Sequence, residues 1–331
     1  MKKTLNRFTL LIGLTTVLFI ATSVMAGGEI KLALDSPPDA DKSGTYFWSK
    51  TFADYLGSKG VKVKLYPRDA LGGEAEKLDQ VSQGLLEISN SDLAKAGSLD
   101  PTVFGFYLPF LFEDMGHFYR TLQKTDLLEK INAGTTKQGV RVLSVVPVGD
   151  MTGIATTKKF IKTPADFKGI RMRALDAKQA KWLEIWGANA VVIPWAEIYN
   201  ALQTGIADGY MNPAFVPIMF KHTEVLKYYS DVKLAPALRV VICSEDWYQG
   251  LKSEDRAIVG QGVVQADAAV QEWVKKAAAK GLDDLRKAGL QVYENTSADK
   301  TKFAELIRPN YTDIVSEDIA KMFIQAAEKN R

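Results

Sequence analysis

One arginine of this chain stands where it can bind an anion. Gly169 precedes Ile170-Arg171-Met172-Arg173, whose alternation of apolar and cationic residues predicts a short strand ending near Arg173. A planar guanidinium matches a carboxylate through two parallel hydrogen bonds, which a lysine cannot do. A buried arginine is costly unless it is paired. Either an incoming carboxylate or an internal Asp or Glu satisfies that need, and the residues alone favour neither.

The elements around Arg173 predict how it is held. Residues 178–186 have the pattern of a helix, and residues 190–193 form an apolar strand. Pro194 then opens another helix and Gly205 closes it. Strand, helix, strand and helix in succession indicate an α/β unit around a parallel sheet. Ligands of open α/β sheets bind beyond the carboxyl ends of the strands, which is where Arg173 is predicted to lie.

The stretch from Asp166 to Pro213 resembles the substrate-binding proteins of tripartite ATP-independent periplasmic (TRAP) transporters, the family that includes C4-dicarboxylate and sialic-acid binders. Leu71-Gly72-Gly73 and Leu108-Pro109-Phe110-Leu111-Phe112 match elsewhere, so the resemblance covers nearly the whole chain after residue 26. Each motif alone is weak evidence, whereas the ordered set is specific. The matching residues are Asp166-Phe167-Lys168-Gly169-Ile170-Arg171-Met172-Arg173, then Pro194-Trp195-Ala196-Glu197-Ile198-Tyr199-Asn200-Ala201-Leu202-Gln203-Thr204-Gly205-Ile206-Ala207-Asp208-Gly209, then Asn212-Pro213.

The resemblance implies an α/β fold: a two-lobed periplasmic-binding-protein clamshell with a long helix bracing both domains. The roughly 305 residues after residue 26 exceed a typical single core, which also favours two domains. We expect residues 27–150 with 239–280 in domain I, and residues 151–238 with 281–331 in domain II. A long helix is predicted from a cap at Ser253 to about Lys287, with Glu254 and Asp255 in its first turn.

The resemblance also implies roles for individual residues. Arg173 matches the family position that anchors the substrate carboxylate, and Asn212 matches the position whose amide bonds the same carboxylate. Trp195 matches a position that is often aromatic and lies against the ligand. Asn212 also suits a turn before Pro213, and Trp195 also suits packing at a helix start. The predicted ligand-binding residues are Arg173, Asn212, Trp195, Tyr210, Asp176, Glu74, Met151 and Asn90.

Three of the remaining residues have alternatives. Asp176 can hydrogen-bond a ligand or orient Arg173, and Glu74 can contact a ligand or serve as a charge in the first turn of a helix. Asn90 begins the polar cluster Asn90-Ser91-Asp92, predicted just past a strand at residues 85–89. That cluster fits a ligand site or a helix cap.

The chain departs from the family pattern at one position. Many relatives carry a second arginine in the strand before the Arg173 motif, where this sequence aligns Gly153. The missing cation weakens the prediction of a dicarboxylate or a heavily hydroxylated sugar acid. It favours a monocarboxylate with an apolar or aromatic body, received by Trp195, Tyr210 and neighbours such as Phe215.

The first 26 residues have the parts of a secretory signal peptide. Lys2, Lys3 and Arg7 give a charged start, residues 10–21 form an apolar run, and Val24-Met25-Ala26 is a small-residue cleavage site. The run is shorter than the ~20 residues that a membrane span needs. We therefore expect a cleaved signal peptide and a periplasmic protein.

The net charge of the chain restricts the classes of binding partner that we expect. Without the three cations of the signal peptide, the 42 Lys and Arg fall to 39, which equals the 39 Asp and Glu. A near-neutral mature chain argues against a nucleic acid or a polybasic contact with a membrane surface.

Nothing in the sequence predicts catalysis. The two histidines lie apart: His117 is predicted at a helix start, as a cap or surface residue, and His222 on an exposed face. No Gly-x-Ser-x-Gly elbow and no His, Cys or carboxylate spacing typical of a metal site is present in the sequence. We expect no catalytic residue, no metal and no cofactor.

The combined prediction is the extracytoplasmic receptor of a TRAP transporter. It captures a small organic acid between two lobes and delivers it to one small and one large integral membrane subunit. A dicarboxylate or sugar-acid receptor of the same type is the alternative. Less favoured are an ABC-type receptor, the periplasmic domain of a sensor, and a periplasmic isomerase or lyase that uses carboxylates of the cleft.

Overall fold

The computed structural model describes residues 28–331, and the predicted signal peptide lies outside the described residues. The strands of the described part are β1 (Ile30–Ala33), β2 (Val63–Tyr66), β3 (Ile88–Asp92), β4 (Val140–Met151), β5 (Gly153–Thr156), β6 (Arg171–Ala174), β7 (Asn189–Val192), β8 (Gly209–Asn212), β9 (Tyr228–Ser230), β10 (Pro236–Ser244) and β11 (Gln291–Tyr293).

The helices alternate with these strands along much of the chain. They are α1 (Gly44–Ser58), α2 (Glu74–Ser82), α3 (Leu93–Gly97), α4 (Met115–Gln123), α5 (Leu127–Thr135), α6 (Ala177–Ile185), α7 (Ile198–Gln203), α8 (Val216–Met219), α9 (Glu245–Gly250), α10 (Ser253–Lys287), α11 (Ser297–Ile307) and α12 (Glu317–Glu328). Short 3₁₀ turns cover Pro101–Tyr107, Thr136–Gln138, Pro164–Phe167, Trp195–Glu197, His222–Glu224 and Arg308–Asp313. Among residues 28–331, no helix is both long enough and apolar enough to span a bilayer.

The strands form two separate sheets, and each sheet is the centre of one lobe. The first lobe contains a five-stranded sheet in the order β2-β1-β3-β10-β4, and the second a six-stranded sheet in the order β11-β9-β5-β8-β6-β7. Each sheet is mixed: β1 runs parallel to β2 and β3, whereas β10 is antiparallel to β3 and β4. In the second sheet β6 is parallel to both β7 and β8, as the strand–helix–strand pattern around Arg173 predicts.

Two chain crossings between the lobes lie side by side. One joins β4 to β5 through Thr152, and the other runs from β9 back to β10 through Leu234 and Ala235. The N–H of Thr152 donates to the carbonyl of Ala235 at 2.8 Å, and the N–H of Leu234 donates to the carbonyl of Thr152 at 2.9 Å. The crossings are therefore hydrogen-bonded to each other, which gives the lobes a common hinge.

The long helix is present as predicted and spans 35 residues. It begins one residue earlier than a cap at Ser253 implies, because Lys252 is the N-cap and Ser253 is already helical. Its buried positions include Val259, Ala266 and Val270. The helix packs on α1 and β4 of the first lobe and on β11 of the second, so one rigid element braces both.

The terminal helices pack on different lobes. Trp186, at the end of α6, donates its indole N–H to the carbonyl of Phe303 on α11, which places α11 on the second lobe. The helix α12 lies instead against first-lobe residues, where the rings of Phe106 and Phe323 meet edge to face at 5.0 Å. Residues 281–331 were predicted to belong to the second domain as a whole; the contacts of α12 are made with the first lobe.

Strand β3 lies further along the chain than predicted. It covers Ile88–Asp92, so Asn90 lies inside the strand rather than beyond its end. The reason is β10, which pairs with β3 in antiparallel register from Ile88 to Asp92. A pairing partner some 150 residues away in the sequence leaves no local signal, whereas the polar run Asn90-Ser91-Asp92 is typical of a loop.

The helix α10 is fixed to the first lobe by a partly buried carboxylate. Oδ1 of Asp267 accepts hydrogen bonds from the indole N–H of Trp48 at 2.6 Å and from the hydroxyl of Ser144 at 2.7 Å. Burial raises the pKa of Asp267 from 3.8 to about 6, although both hydrogen bonds oppose the rise. The folded protein therefore binds this proton more tightly than the unfolded chain, and the free energy of unfolding falls as the pH rises through this range.

We expect Asp267→Asn to stabilise the protein at neutral pH. Both hydrogen bonds go to one oxygen, which an amide keeps, while the ionisation is removed. The variant should exceed the wild type by roughly 2 kcal/mol in free energy of unfolding above pH 7, and the difference should vanish near pH 4. Denaturant unfolding across this pH range measures it, with Asp283→Asn on the exposed face of the same helix as control. A gap that does not change with pH would contradict this account of Asp267.

Candidate functional site

A cavity of about 170 Å³ lies between the lobes, and we call it the cleft cavity. Both lobes and both crossings line it, so a molecule bound there touches each rigid body. The polar residues that line it from the second lobe include Arg173, Gln179, Trp182, Trp195 and Asn212; those from the first lobe include Asp35, Arg68, Asp92, Tyr107 and Arg239. Its apolar lining includes Phe106, Leu175, Met211, Phe215, Met219, Phe220 and Leu238.

Arg173 lies on β6 between two hydrogen-bonded neighbouring strands and is 4% exposed. Its Nε donates to the carbonyl of Ile193 at 2.9 Å, which fixes the plane of the guanidinium. Its Nη2 is buried and has no hydrogen-bond partner among residues 28–331. Burial lowers the pKa of Arg173 to about 10, against the influence of Tyr107 and Asp176, so the group is still a cation at neutral pH. A buried cation with an unused donor lacks the partner that an anion would supply.

Asp176 and Tyr107 stand behind this arginine and join the lobes. Asp176 is the N-cap of α6, and its Oδ1 accepts from the N–H of Gln179 at 2.8 Å. Its Oδ2 accepts from the hydroxyl of Tyr107, a first-lobe residue, at 2.9 Å. Asp176 itself does not line the cleft cavity. Both of its carboxylate oxygens are thus occupied by partners other than Arg173, which it was predicted either to orient or to assist by binding the ligand.

Trp195 covers one side of Arg173. Its ring centroid lies 5.7 Å from the guanidinium carbon, within the range of a cation–π contact. Behind it Tyr210 and Phe220 pack edge to face, at 5.8 and 4.9 Å between ring centroids. Trp195 is therefore held from behind by other rings while it lines the cleft cavity. Tyr210 is fully buried in this packing and does not line the cavity.

The prediction that His222 lies on an exposed face is wrong. His222 is 4% exposed, and its Nδ1 is hydrogen-bonded to the hydroxyl of Tyr210 at 3.1 Å. Burial lowers its pKa to about 4, so the ring is neutral at pH 7. The polar sequence Lys221-His222-Thr223-Glu224 suggests a surface, but the ring turns inward to join the aromatic residues that support Trp195. His117 is also buried, and its Nε2 donates to the carbonyl of Ala327 on α12.

Asn212 lies at the end of β8 and lines the cleft cavity, as predicted for a residue beside Arg173. Its backbone carbonyl accepts a hydrogen bond from the hydroxyl of Tyr229 at 3.1 Å. The same hydroxyl occupies the space next to Gly153, where an added Cβ would collide with it. Any larger side chain at position 153 would displace Tyr229 from Asn212, which gives the glycine a structural reason.

Two second-lobe donors were missed from the sequence. Trp182 lines the cleft cavity, and its buried indole N–H finds no acceptor within the described part of the chain. Gln179 lies one turn earlier on α6, and its oxygen accepts from the N–H of Leu175 at 2.7 Å. The amide NH₂ of Gln179 is therefore the group that can donate a hydrogen bond to a molecule in the cavity. Residues three apart on the helix that follows the Arg173 strand share one face, and this spacing could have identified them.

The first-lobe wall contains an arginine that was also missed. Arg239 lies on β10, and its Nε is 3.2 Å from Oδ2 of Asp35. Its Nη1 is 3.1 Å from Oε1 of Glu74 and 3.9 Å from Oδ2 of Asp92. Glu74, predicted as a ligand contact, therefore pairs with Arg239 and does not line the cavity. Unlike Arg173, this arginine is surrounded by carboxylates of its own lobe.

The two remaining predicted residues lie away from the cleft cavity. Asn90 is fully buried, and its amide donates to Ser49 at 3.1 Å and to Asp35 at 3.3 Å. Met151 is 3% exposed and lines a second cavity, of about 330 Å³, between the hinge and α10. Of the eight predicted residues, the structure brings Arg173, Trp195 and Asn212 together on the cleft cavity. Within residues 28–331, no group of three or more His, Cys, Asp or Glu could hold a metal ion.

Two mixed sheets, a shared hinge and a buried cation in the cleft define a two-lobed solute-binding protein. Residues 38–318 match the model of the family described as bacterial extracellular solute-binding protein, family 7 (DctP), and the chain belongs to that family. The predicted family and fold class are thereby confirmed.

Named relatives span nearly the whole chain. The sialic acid-binding periplasmic protein SiaP of Vibrio cholerae is 28% identical, over 95% of this chain and 96% of its own. The 2,3-diketo-L-gulonate-binding periplasmic protein YiaO of Escherichia coli is 25% identical, over 92% and 94%. The sugar acid binding protein DctPAm of Advenella mimigardefordensis, solved with galactonate, superposes with a TM-score of 0.84 at 22% identity, over 93% of this chain and all of its own.

We expect Trp182→Phe to weaken ligand binding, and to destabilise the free protein less than the same change at Trp186. Phenylalanine keeps the packing against Tyr107, and the lost N–H has no partner to lose before ligand arrives. A hydrogen bond to a charged ligand is worth about 1.5–3 kcal/mol, so affinity should fall roughly tenfold or more. Calorimetry and thermal unfolding measure the two effects separately.

The matched control is Trp186→Phe on the same helix. Its indole N–H is used within the protein, so that change should lower the melting temperature while leaving affinity nearly unchanged. If both variants behaved alike, Trp182 would be a packing residue and not a ligand donor.

Proposed function

We propose that this protein is the extracytoplasmic solute receptor of a TRAP transporter, located in the periplasm, and that it captures a small organic monocarboxylate with an apolar or aromatic body. One observation carries the proposal: Arg173 lines the cleft cavity, and its buried Nη2 has no hydrogen-bond partner in the described chain. A ligand carboxylate supplies the missing acceptor and the missing charge. Family membership supports a solute receptor, and several relatives are named as periplasmic binding proteins of organic acids.

The apolar part of the cavity lining supports the choice of ligand body. The residues that line the cleft cavity include Phe106, Met211, Phe215 and Leu238. Burying apolar surface there contributes about 25 cal/mol per Å². Trp195 adds an aromatic face beside the carboxylate anchor.

Ligand capture and transport follow from the two-lobed design. The walls of the cavity belong to different lobes joined by a hinge, so a bound acid favours closure of one lobe on the other. The closed receptor then delivers its ligand to one small and one large integral membrane subunit. Ligand recovered unchanged after prolonged incubation would argue against the alternative of a periplasmic isomerase or lyase.

A sugar-acid receptor of the same type is the second candidate. The relatives favour it, since solved structures of similar fold contain galacturonate, glucuronate and galactonate. Asp35, Arg68 and Asp92 on the first-lobe wall also offer partners for hydroxyl groups.

The anchor is tested by replacing Arg173. Arg173→Ala removes a charge-assisted contact, and we expect affinity for an identified ligand to fall by roughly a hundredfold or more. Arg173→Lys should restore little, because an ammonium cannot reproduce the fork of donors. Titration calorimetry on folded variants measures both.

Arg171→Ala is a matched control for these variants. Arg171 lies two residues earlier on the same strand, where its exposed side chain pairs with Asp208 at 3.1 Å. Lys158 also reaches Asp208, at 3.0 Å, so the loss is partly compensated. Ligand binding should stay near normal in Arg171→Ala. Near-normal binding in Arg173→Ala would contradict the assignment of Arg173 as the carboxylate anchor.

The ligand class is tested by competition. Aromatic and branched-chain monocarboxylates, including 2-oxo acids, should outcompete succinate, malate and hexuronates. Each of the latter brings a second charge or many hydroxyls into a cavity whose lining is partly aromatic and aliphatic, and burial of an unpaired charge commonly costs several kcal/mol. A thermal-shift screen followed by calorimetry ranks the acids. Tight binding of a hexuronate with no response to aromatic acids would favour the sugar-acid receptor.

A further inference from the structure

Arg239 gives the first-lobe wall of the cleft cavity a cation whose charge is already neutralised. Its side chain is 20% exposed and lines the cavity. Burial opposes the charged form of Arg239, but the carboxylates of Glu74, Asp35 and Asp92 outweigh burial and raise its pKa. Three carboxylates thus compete for one guanidinium, and two of them, Asp35 and Asp92, also line the cavity.

The other cations of this wall do not reverse the balance. Lys77 is buried and lies 3.9 Å from Glu74, so two cations face three carboxylates. Arg68 lines the cavity but pairs with Asp69 at 3.3 Å and donates to the backbone carbonyl of Asp35 at 2.7 Å. Its charge is therefore balanced by Asp69. The wall as a whole retains one negative charge in excess.

We propose that Arg239, held by Asp35, Glu74 and Asp92, is a charge filter that excludes a second carboxylate from the far end of the ligand. This proposal rests on the proposed function, in which Arg173 binds the first carboxylate. A second carboxylate would meet a guanidinium with no charge to spare and two carboxylates beside it. The receptor then separates monocarboxylates from dicarboxylates through repulsion at its first-lobe wall, not through the size of the cavity.

Asp92 is the member of the cluster that can be changed with least harm to the fold. It lies opposite Arg239 in the paired strands β3 and β10. Its Oδ1 accepts from the N–H of Lys95 at 2.8 Å as the N-cap of α3, a role that asparagine fills equally well. Asp35, by contrast, also accepts from Thr45 and Asn90 inside the first lobe. Asp92→Asn therefore removes one charge and keeps the local structure.

The probes are pentanoate and glutarate, which differ in that a terminal methyl group is replaced by a carboxylate. We expect wild-type protein to bind pentanoate at least ~10-fold more tightly than glutarate at pH 7, since like charges a few ångströms apart repel by more than ~1.4 kcal/mol near a protein surface. Asp92→Asn should raise the affinity for glutarate by roughly tenfold and change that for pentanoate by less than about twofold. Calorimetry at constant ionic strength measures all four affinities.

Glu317→Gln on α12 is the charge-matched control, because Glu317 is exposed and pairs with Lys321 away from the cleft cavity. Its ratio of the two affinities should equal that of the wild type. A wild type that binds glutarate as tightly as pentanoate, or an Asp92→Asn ratio that does not move, overturns the charge filter. If the charge filter fails in this way but Arg173→Ala still abolishes pentanoate binding, only the charge filter is rejected. If neither acid binds any form of the protein, the proposed function is rejected as well.

Discussion

The burial of one uncompensated guanidinium constrains the rest of this structure. Arg173 is held by a single backbone carbonyl, lies beside an aromatic face, and keeps one donor unused within the described chain. A charge in this position costs free energy unless an anion completes its shell. The protein must therefore keep the group in place by rigid neighbours, and β6, between β7 and β8, supplies them. This local geometry lowers the stability of the ligand-free protein and is better suited to the ligand-bound form.

The arginines of the two lobes, Arg173 and Arg239, have opposite surroundings. The second lobe gathers donors with few acceptors, since Arg173, Trp182 and Gln179 line the cleft cavity and the buried Nη2 of Arg173 and indole N–H of Trp182 have no acceptor in the described chain. The first lobe gathers acceptors around Arg239, with carboxylates from β3, from α2 and from the end of β1. A ligand that joins the walls thus meets a donor-rich face and an acceptor-rich face. Such polarity orients an asymmetric molecule before any contact with its body is considered.

Local patterns predicted the parts of the site that are built locally. Arg173, Trp195 and Asn212 belong to one strand–helix–strand stretch, so alternation, helix punctuation and the ordered family motifs were enough to bring them together. The long helix was predicted for the same reason, because its period is carried by its own residues. What the sequence could not show are features that depend on distant pairing. Arg239 lies opposite Asp92 because β10 returns antiparallel to β3, and the same pairing draws Asn90 into a strand.

Burial also reversed several predictions made from polarity. His222 and Tyr210 are polar enough to suggest a surface or a ligand contact, but they bond to each other inside the aromatic packing behind Trp195. Glu74 and Asp176 look equally available in the sequence, and each is occupied by a partner from elsewhere in the fold. The sequence does not show whether a polar side chain has a hydrogen-bond partner in the folded protein. The distinction appears when the hydrogen bonds are traced, which is why Trp182, ordinary in the sequence, stands out in the structure.

The packing around Gly153 requires a residue without a side chain. Its lack of a side chain leaves room for the hydroxyl of Tyr229, which reaches the backbone carbonyl of Asn212. The volume beside Gly153 thus holds a tyrosine that supports the end of β8, where Asn212 lies. An arginine could not be placed at position 153 without moving Tyr229 and, with it, its contact with Asn212. The absence of a cation at position 153 is therefore built into the packing of the second sheet, independently of the carboxylates that surround Arg239 across the cavity.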